Sequence, residues 1–493
     1  MRNKPNTVQL LLCLFICLVT AKVQAQGKAD TIRISWDKQV TVSRTTPTLQ
    51  LVENPMVRWS PVHEATFKAL ADLGADYVRY VPWFPYPKLA VAELKPPANG
   101  KTYWDFKLLD STMTAFMEAT KGHSVIVNFS TTPEWMWKTG GTVSYPDDPY
   151  KVDWDYNQGT QLRDTTVKEL AAYYARLLSW YTKGGFTDEF GQYHKSGHFY
   201  KIPYWEVLNE PEGEHDISPQ LYTKIYDAVV TAMKQVSPDT KFVGLALAFE
   251  SRPEFFEYFL NPKNHAPGVP LDGISYHHYS TPSWREQPLD AYQYTFFEKA
   301  DAFLNSVRYI EAIRKRLSPH TFTTIDEIGT ILGAETVPIP DDYWNLSGAM
   351  YAHMFLQLTR MGIDVAGESQ LVGYPSQYPD VSMIDWKNGK PNARYWVLKL
   401  IVENFGPGDK LVSTSYNGSG SVDHQAFITA KGKRLLLINQ RDQETSIVLP
   451  VEAQGGSARS VDVTTRENPP AAVQLTGSQI TLKPFSVTVI AFK

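Results

Sequence analysis

Cysteine is all but missing from this 493-residue chain: Cys13 and Cys17 are the two it has, and both lie near its start. They fall inside "VQLLLCLFICLVTA", an apolar stretch preceded by Arg2 and Lys4 and followed by "KVQAQ". Charge, apolar length and small residues before Ala25 predict a secretory signal peptide over 1–25 and a secreted or periplasmic product. Its removal leaves no thiol. That excludes disulfides, thiol catalysis and cysteine-ligated metals from the mature chain. No later stretch is apolar enough to cross a bilayer, so no membrane partner is expected after cleavage. A net charge of −4 gives no reason to expect nucleic acid. No glycine-rich phosphate turn follows any early strand, which counts against a doubly wound dinucleotide fold and leaves no cofactor implied.

Aromatic residues, in contrast, are abundant. They make up 13% of the chain and include 13 tryptophans. Aromatic faces pack on the apolar faces of sugar rings, although large cores use them too. After an alternating segment at Ile32, Ile34, Trp36, Val40 and Val42, short apolar runs and amphipathic helical patterns take turns along the sequence. Counting a first strand within "TPTLQLVEN", the strands are "ADYVRYV", "HSVIVNFS", "KIPYWEVLNE", "TKFVGLALA", "LDGISYHHY", "TFTTIDEIGT" and "DVAGESQLV", each followed by a helix. Strands apolar on both faces imply a parallel sheet, and eight such units predict a (β/α)₈ barrel, here over 51–406. An open doubly wound sheet is the alternative. Past Gly408 the helices stop, and strand patterns with Gly, Asn and Pro turns predict an accessory β-sandwich over 407–493, joined by N-terminal strands within 26–50.

In a barrel the C-terminal strand ends carry the chemistry. The fourth strand ends in "WEVLNEPE", which places Asn209 and Glu210 at the rim, with Pro211 breaking the ladder. The seventh, across the mouth, ends with Glu327. Two carboxylates facing each other suit glycoside cleavage: one protonates the leaving oxygen and the other meets the oxocarbenium-like carbon. Asp326 precedes Glu327, but strand alternation puts Ile325 and Glu327 on one face and Asp326 on the other. Glu212, Glu214 and His215 could suggest a metal site. A solvated acidic rim is the simpler reading, and no metal is expected.

These motifs resemble the acid/base and nucleophile segments of clan A glycoside hydrolases, and more closely those of glycoside hydrolase family 39, which holds β-xylosidases and α-L-iduronidases. The likeness extends to "DLGADYVRYV" with Arg79, "YWDFKLLDSTMTAFMEA", "STTPEWM" and "ISYHHY", which supplies His277 and Tyr279. Ile328 departs from it, standing where many relatives have an aromatic residue. The resemblance implies a retaining glycosidase with Glu210 as acid/base and Glu327 as nucleophile, acting from the chain end on pentose- or uronate-containing oligosaccharides or polysaccharides. Asn209 would donate to a sugar hydroxyl, Tyr279 and Arg79 would keep Glu327 ionised, and His277 would line the substrate. Arg79 could instead be a structural ion pair with Glu206. Of Trp83, Trp135, Trp137, Trp284 and Trp344, one or two are expected to stack on sugar, with Trp135 and Trp284 the candidates. The rival readings are a catalytically silent carbohydrate-binding barrel and a metal-dependent hydrolase.

Overall fold

The computed structural model describes residues 30–493 except 59, 142–144, 157, 283–287, 333–338 and 419. The expected signal peptide with its two cysteines, and Trp284, lie outside the described residues.

Eight parallel strands close into a barrel. They are Thr46–Val52, Val78–Val81, Val125–Val127, Tyr204–Glu206, Lys241–Leu247, Gly273–Ser280, Phe322–Thr330 and Val365–Glu368. Each pairs with the next in sequence, and the eighth closes on the first through Val365 and Thr46. The runs are apolar on both faces because helices cover the outside and side chains fill the inside. Val125, Ile126 and Val127, for instance, are all buried. A helix follows every strand: His63–Leu73, Lys107–Ala119, Lys168–Thr182, Pro219–Val236, Pro253–Phe259, Leu289–Leu317, Asp341–Met361 and Ala393–Asn404. The helix after the fourth strand starts where its sequence says it should. Ser218 accepts from the Leu221 N–H, and Pro219 occupies the first turn, where its missing N–H is not needed.

The barrel begins at Thr46 rather than at residue 51, so the end of the 26–50 segment belongs to the barrel and not to the sandwich. Ahead of it, the strand Ile32–Val42 runs antiparallel to Lys410–Tyr416 at the edge of a seven-stranded sheet. A two-stranded sheet, Thr445–Val448 with Gln479–Leu482, faces that sheet. Alternation divides the large sheet's side chains between two cores. Leu435 and Leu437 pack with Ile32, Ile447 and Leu482, whereas Leu436 and Ile438 join the barrel's own core. The centre of the accessory sheet is therefore buried on both faces, one of them against the barrel.

Candidate active site

Register brings the inward polar residues of neighbouring strands side by side. Gln50 on the first strand is level with Arg79 on the second, and His277 on the sixth is level with Glu327 on the seventh. Arg79 is fully buried and is the hub of the cluster. Its Nε donates to Glu206 at 2.6 Å and Nη1 to Glu327 at 2.5 Å and to Gln50 at 2.8 Å. Nη2 donates to Asn209 at 2.7 Å. Burial opposes the guanidinium charge, but Glu206, Asp326 and Glu327 more than restore it. Arg79 is thus both a structural ion pair with Glu206 and a direct partner of Glu327.

The second oxygen of Glu327 accepts the Tyr279 hydroxyl at 2.6 Å. Gln50 Nε2 donates to Ser369 Oγ at 2.7 Å, and Ser369 lies 2.6 Å from that same phenol oxygen. Burial alone would raise the Glu327 carboxyl. The charges of His277 and Arg79 and the hydrogen bonds from Tyr279 and Arg79 outweigh it, so Glu327 is held below the usual carboxylate range. His277 Nδ1 lies 2.9 Å from Glu210 Oε1, and its Nε2 lies 3.6 Å from Glu327 Oε1. Burial disfavours the imidazolium, yet Glu327 and Glu210 push His277 up to about 9. Oxygens of Glu210 and Glu327 and a nitrogen of His277 all lie within 4.8 Å of one another.

Glu210 leaves the strand with φ of 43°, and Leu208, two residues before it, has φ of 62°. Both are left-handed conformations that L side chains rarely adopt, and such strain gathers where geometry serves a site. Pro211 then starts a short turn that carries Glu214 back beneath Asn209. Glu214 accepts from Asn209 Nδ2 at 2.8 Å, Trp83 Nε1 at 2.7 Å and Gln158 Nε2 at 2.8 Å. Asn209 is thereby held at both ends of its amide, by Arg79 and by Glu214. These groups open onto a cavity of about 180 Å³ lined by Gln50, Trp83, Asn209, Glu210, Tyr279, Glu327, Ser369 and Tyr378, among others.

Three sequence expectations need correction. Asp326 does not point away from the site: its Oδ2 is 3.7 Å from Arg79 Nε and its Oδ1 is 3.6 Å from His277 Nε2. The seventh strand shifts register against both neighbours around this residue, and the irregularity breaks the alternation. Burial and the charge of Glu206 push the Asp326 carboxyl well up. Trp135 is buried away from the cavity, because its indole N–H finds its acceptor at the Glu93 carbonyl. The acidic turn is not a solvated rim. Glu212 is buried, with one oxygen on the Phe249 N–H, and His215 is buried, stacked on Trp137 with Nδ1 on the Gly159 carbonyl. These three side chains serve separate partners. Among the described residues the group that could hold a cation is Glu210, His277 and Glu327. A cation there would compete with Arg79, Tyr279 and the His277–Glu210 contact.

Gln50, Ser369 and the anchoring of Trp83 by Glu214 lie outside what the motifs point to. Gln50 had a signal, a lone amide in the buried run "TLQLV". Ser369 had none.

A closed parallel barrel with carboxylates at the ends of its fourth and seventh strands, aimed at one cavity, has the architecture of a glycoside hydrolase. The family profile described as glycosyl hydrolases family 39 matches residues 19–330, and the chain belongs to that family. No curated protein matches it. Solved structures share its fold at low identity. A GH39 β-xylosidase from Caulobacter crescentus is 14% identical, with a TM-score of 0.61, over 94% of this chain and 99% of that one. A GH51 α-L-arabinofuranosidase from Thermotoga petrophila RKU-1 is 15% identical, with a TM-score of 0.63, over 94% and 99%. A GH30 endoxylanase from Clostridium papyrosolvens C71 is 13% identical, with a TM-score of 0.57, over 93% and 99%.

Proposed function

We propose that this family 39 enzyme is a retaining glycosidase that removes a terminal pentose or uronate unit from a plant or host glycan, working outside the cytoplasm. The observation that carries the reading is the spacing of the carboxylates, whose nearest oxygens lie within 4.8 Å. A gap of about 5–5.5 Å between carboxyl groups leaves no room for water between base and sugar, so the second group must attack the anomeric carbon itself. Glu327, kept ionised, is that nucleophile. Glu210 is the acid that protonates the leaving oxygen and then the base that deprotonates the incoming water. Asn209 donates to a hydroxyl of the reacting sugar, through the amide proton that Glu214 does not take. The small cavity favours a single terminal ring, since pockets for larger ligands run to about 300–1,000 Å³. The pentose assignment leans on the xylosidase and arabinofuranosidase activities of its fold relatives.

His277 gives the cycle its electrical balance. It touches Glu210 on one side and approaches Glu327 on the other. When Glu327 becomes an ester it loses its negative charge, and at the same step Glu210 gives its proton to the leaving oxygen and becomes a carboxylate. The anion moves across the imidazolium, and the buried charge count stays constant.

Following the anomeric proton by NMR on an aryl β-xyloside during the first minutes tests the mechanism. The first product should keep the substrate's configuration. The opposite anomer, appearing before mutarotation, would make Glu327 a base and end the retaining reading.

A further inference from the structure

The cavity does not end at the reacting carboxylates; one of its walls continues outward as a set of aromatic rings drawn from three separate loops. Trp83, from the loop after the second strand, and Tyr378, from the loop after the eighth, line the cavity with ring centroids 6.2 Å apart. Trp154, from the long loop after the third strand, stands edge-on to both, at 5.5 Å and 5.8 Å. It is not among the residues lining the cavity, and it is 38% exposed, with Tyr378 at 37%. Both rings therefore have solvent-facing apolar surface beside the cavity mouth, where a sugar ring could pack on them.

Two features show that the wall is built and held in place. Trp83's indole N–H is fixed by Glu214, the same carboxylate that fixes Asn209. Tyr378 has φ of 46°, a costly conformation for a tyrosine. The loop is packed so tightly that a Cβ on Gly373 would come 2.6 Å from the Tyr378 carbonyl oxygen. The backbone is thus constrained in the conformation that aims this ring at the opening.

We propose that Trp154, together with the outer edge of Tyr378, forms a second sugar subsite, stacking on the ring next to the one being cleaved. This rests on the glycosidase reading above and adds to it a preference for disaccharides and longer chains over glycosides with small leaving groups. Trp154 touches only what projects from the cavity, so its loss should spare a substrate that does not project.

Turnover of β-xylosyl fluoride and of xylobiose by the wild type, Trp154→Ala and Trp154→Phe tests this. Fluoride is too small to reach the wall. Trp154→Ala should lower kcat/KM on xylobiose about 10-fold, mostly through KM, as loss of one ring contact would. On the fluoride it should stay within about twofold of the wild type, which also shows that the variant is folded. Trp154→Phe should recover most of the disaccharide activity. Equal losses on both substrates would make Trp154 a packing residue, and no change on either would make it a bare rim; each result overturns the subsite. A wild type inert on both substrates would overturn the pentosidase reading itself, and the subsite with it.

Discussion

Each of the two carboxylates proposed to react has its own surroundings, and so its own test. Glu210 faces the cavity with one contact to His277, an arrangement suited to a group that must give and take a proton. Glu210→Gln should cut kcat/KM on unactivated disaccharides by about 10²–10⁴. It should cut turnover far less on dinitrophenyl glycosides, whose leaving group needs no proton. Equal losses across the two would remove the acid assignment. Glu327 is governed by its neighbours: the imidazolium of His277 is among the charges that hold its carboxyl down. A nucleophile at Glu327 would react only when ionised, so activity should fall as pH drops through its pKa. His277→Asn removes a positive charge, lets that pKa rise, and should move the acidic limb of the kcat/KM profile to higher pH. An unmoved limb would mean that Arg79 and Tyr279 suffice.

At the scale of the strand, the sequence was legible where period and apolarity speak and illegible where the backbone leaves its period. All eight strand–helix units could be read because "VIV" or "FVGLAL" has few other uses. The carboxylates at strand ends four and seven could be read because a glutamate at the rim of an apolar run is conspicuous. The irregularity that turns Asp326 inward could not, since bulges depend on how two neighbouring strands pair. The inward burial of Trp135 could not either, since an acceptor 42 residues away decided it. Gly367 on the eighth strand shows what the irregularity requires. A Cβ there would lie 3.0 Å from both Cα and O of Asp326. Gly367→Ala should therefore push the seventh strand and with it Glu327, costing about 1–3 kcal/mol of stability. It should also lower kcat more than it raises KM. A variant with wild-type melting and turnover would show that the strand has slack.

Across the whole molecule, barrel and accessory sheet are joined by ion pairing as well as by packing. His353, on the helix Asp341–Met361, pairs with Asp423 of the sheet and with Asp301 of the long helix Leu289–Leu317. Burial opposes its charge, but the two aspartates push it up to about 9 from 6.5. A raised histidine contributes its full stability below its unfolded pKa, and the contribution fades as pH rises through the folded one. The contact should thus be strongest below pH 6.5 and be lost by about pH 9–10, a change on the order of 2 kcal/mol once the exposed Asp301 is discounted. Several buried carboxyls titrate in the same window, so the informative measurement is a difference. Melting temperatures of the wild type and Asp423→Asn should converge between pH 6.5 and 9.5. A constant gap would show that His353 carries no charge there.

The strand Ile32–Val42 has a consequence in time. Its partners come from the far end of the chain: the Thr31 N–H bonds to the Asn417 side chain across 386 residues. During synthesis this strand emerges before the barrel and must wait, unpaired, until almost everything else has been made. Non-local pairing of this kind is the slow, late step of folding, and an unpaired strand is open to other chains while it waits. Arg33, Asp37 and Lys38 stand exposed along it and interrupt its apolar positions, as expected of a strand that must stay soluble alone. The seven-stranded sheet is then a clasp that closes only on a completed molecule, and a chain cut short before residue 410 would leave its first strand with nothing to hold.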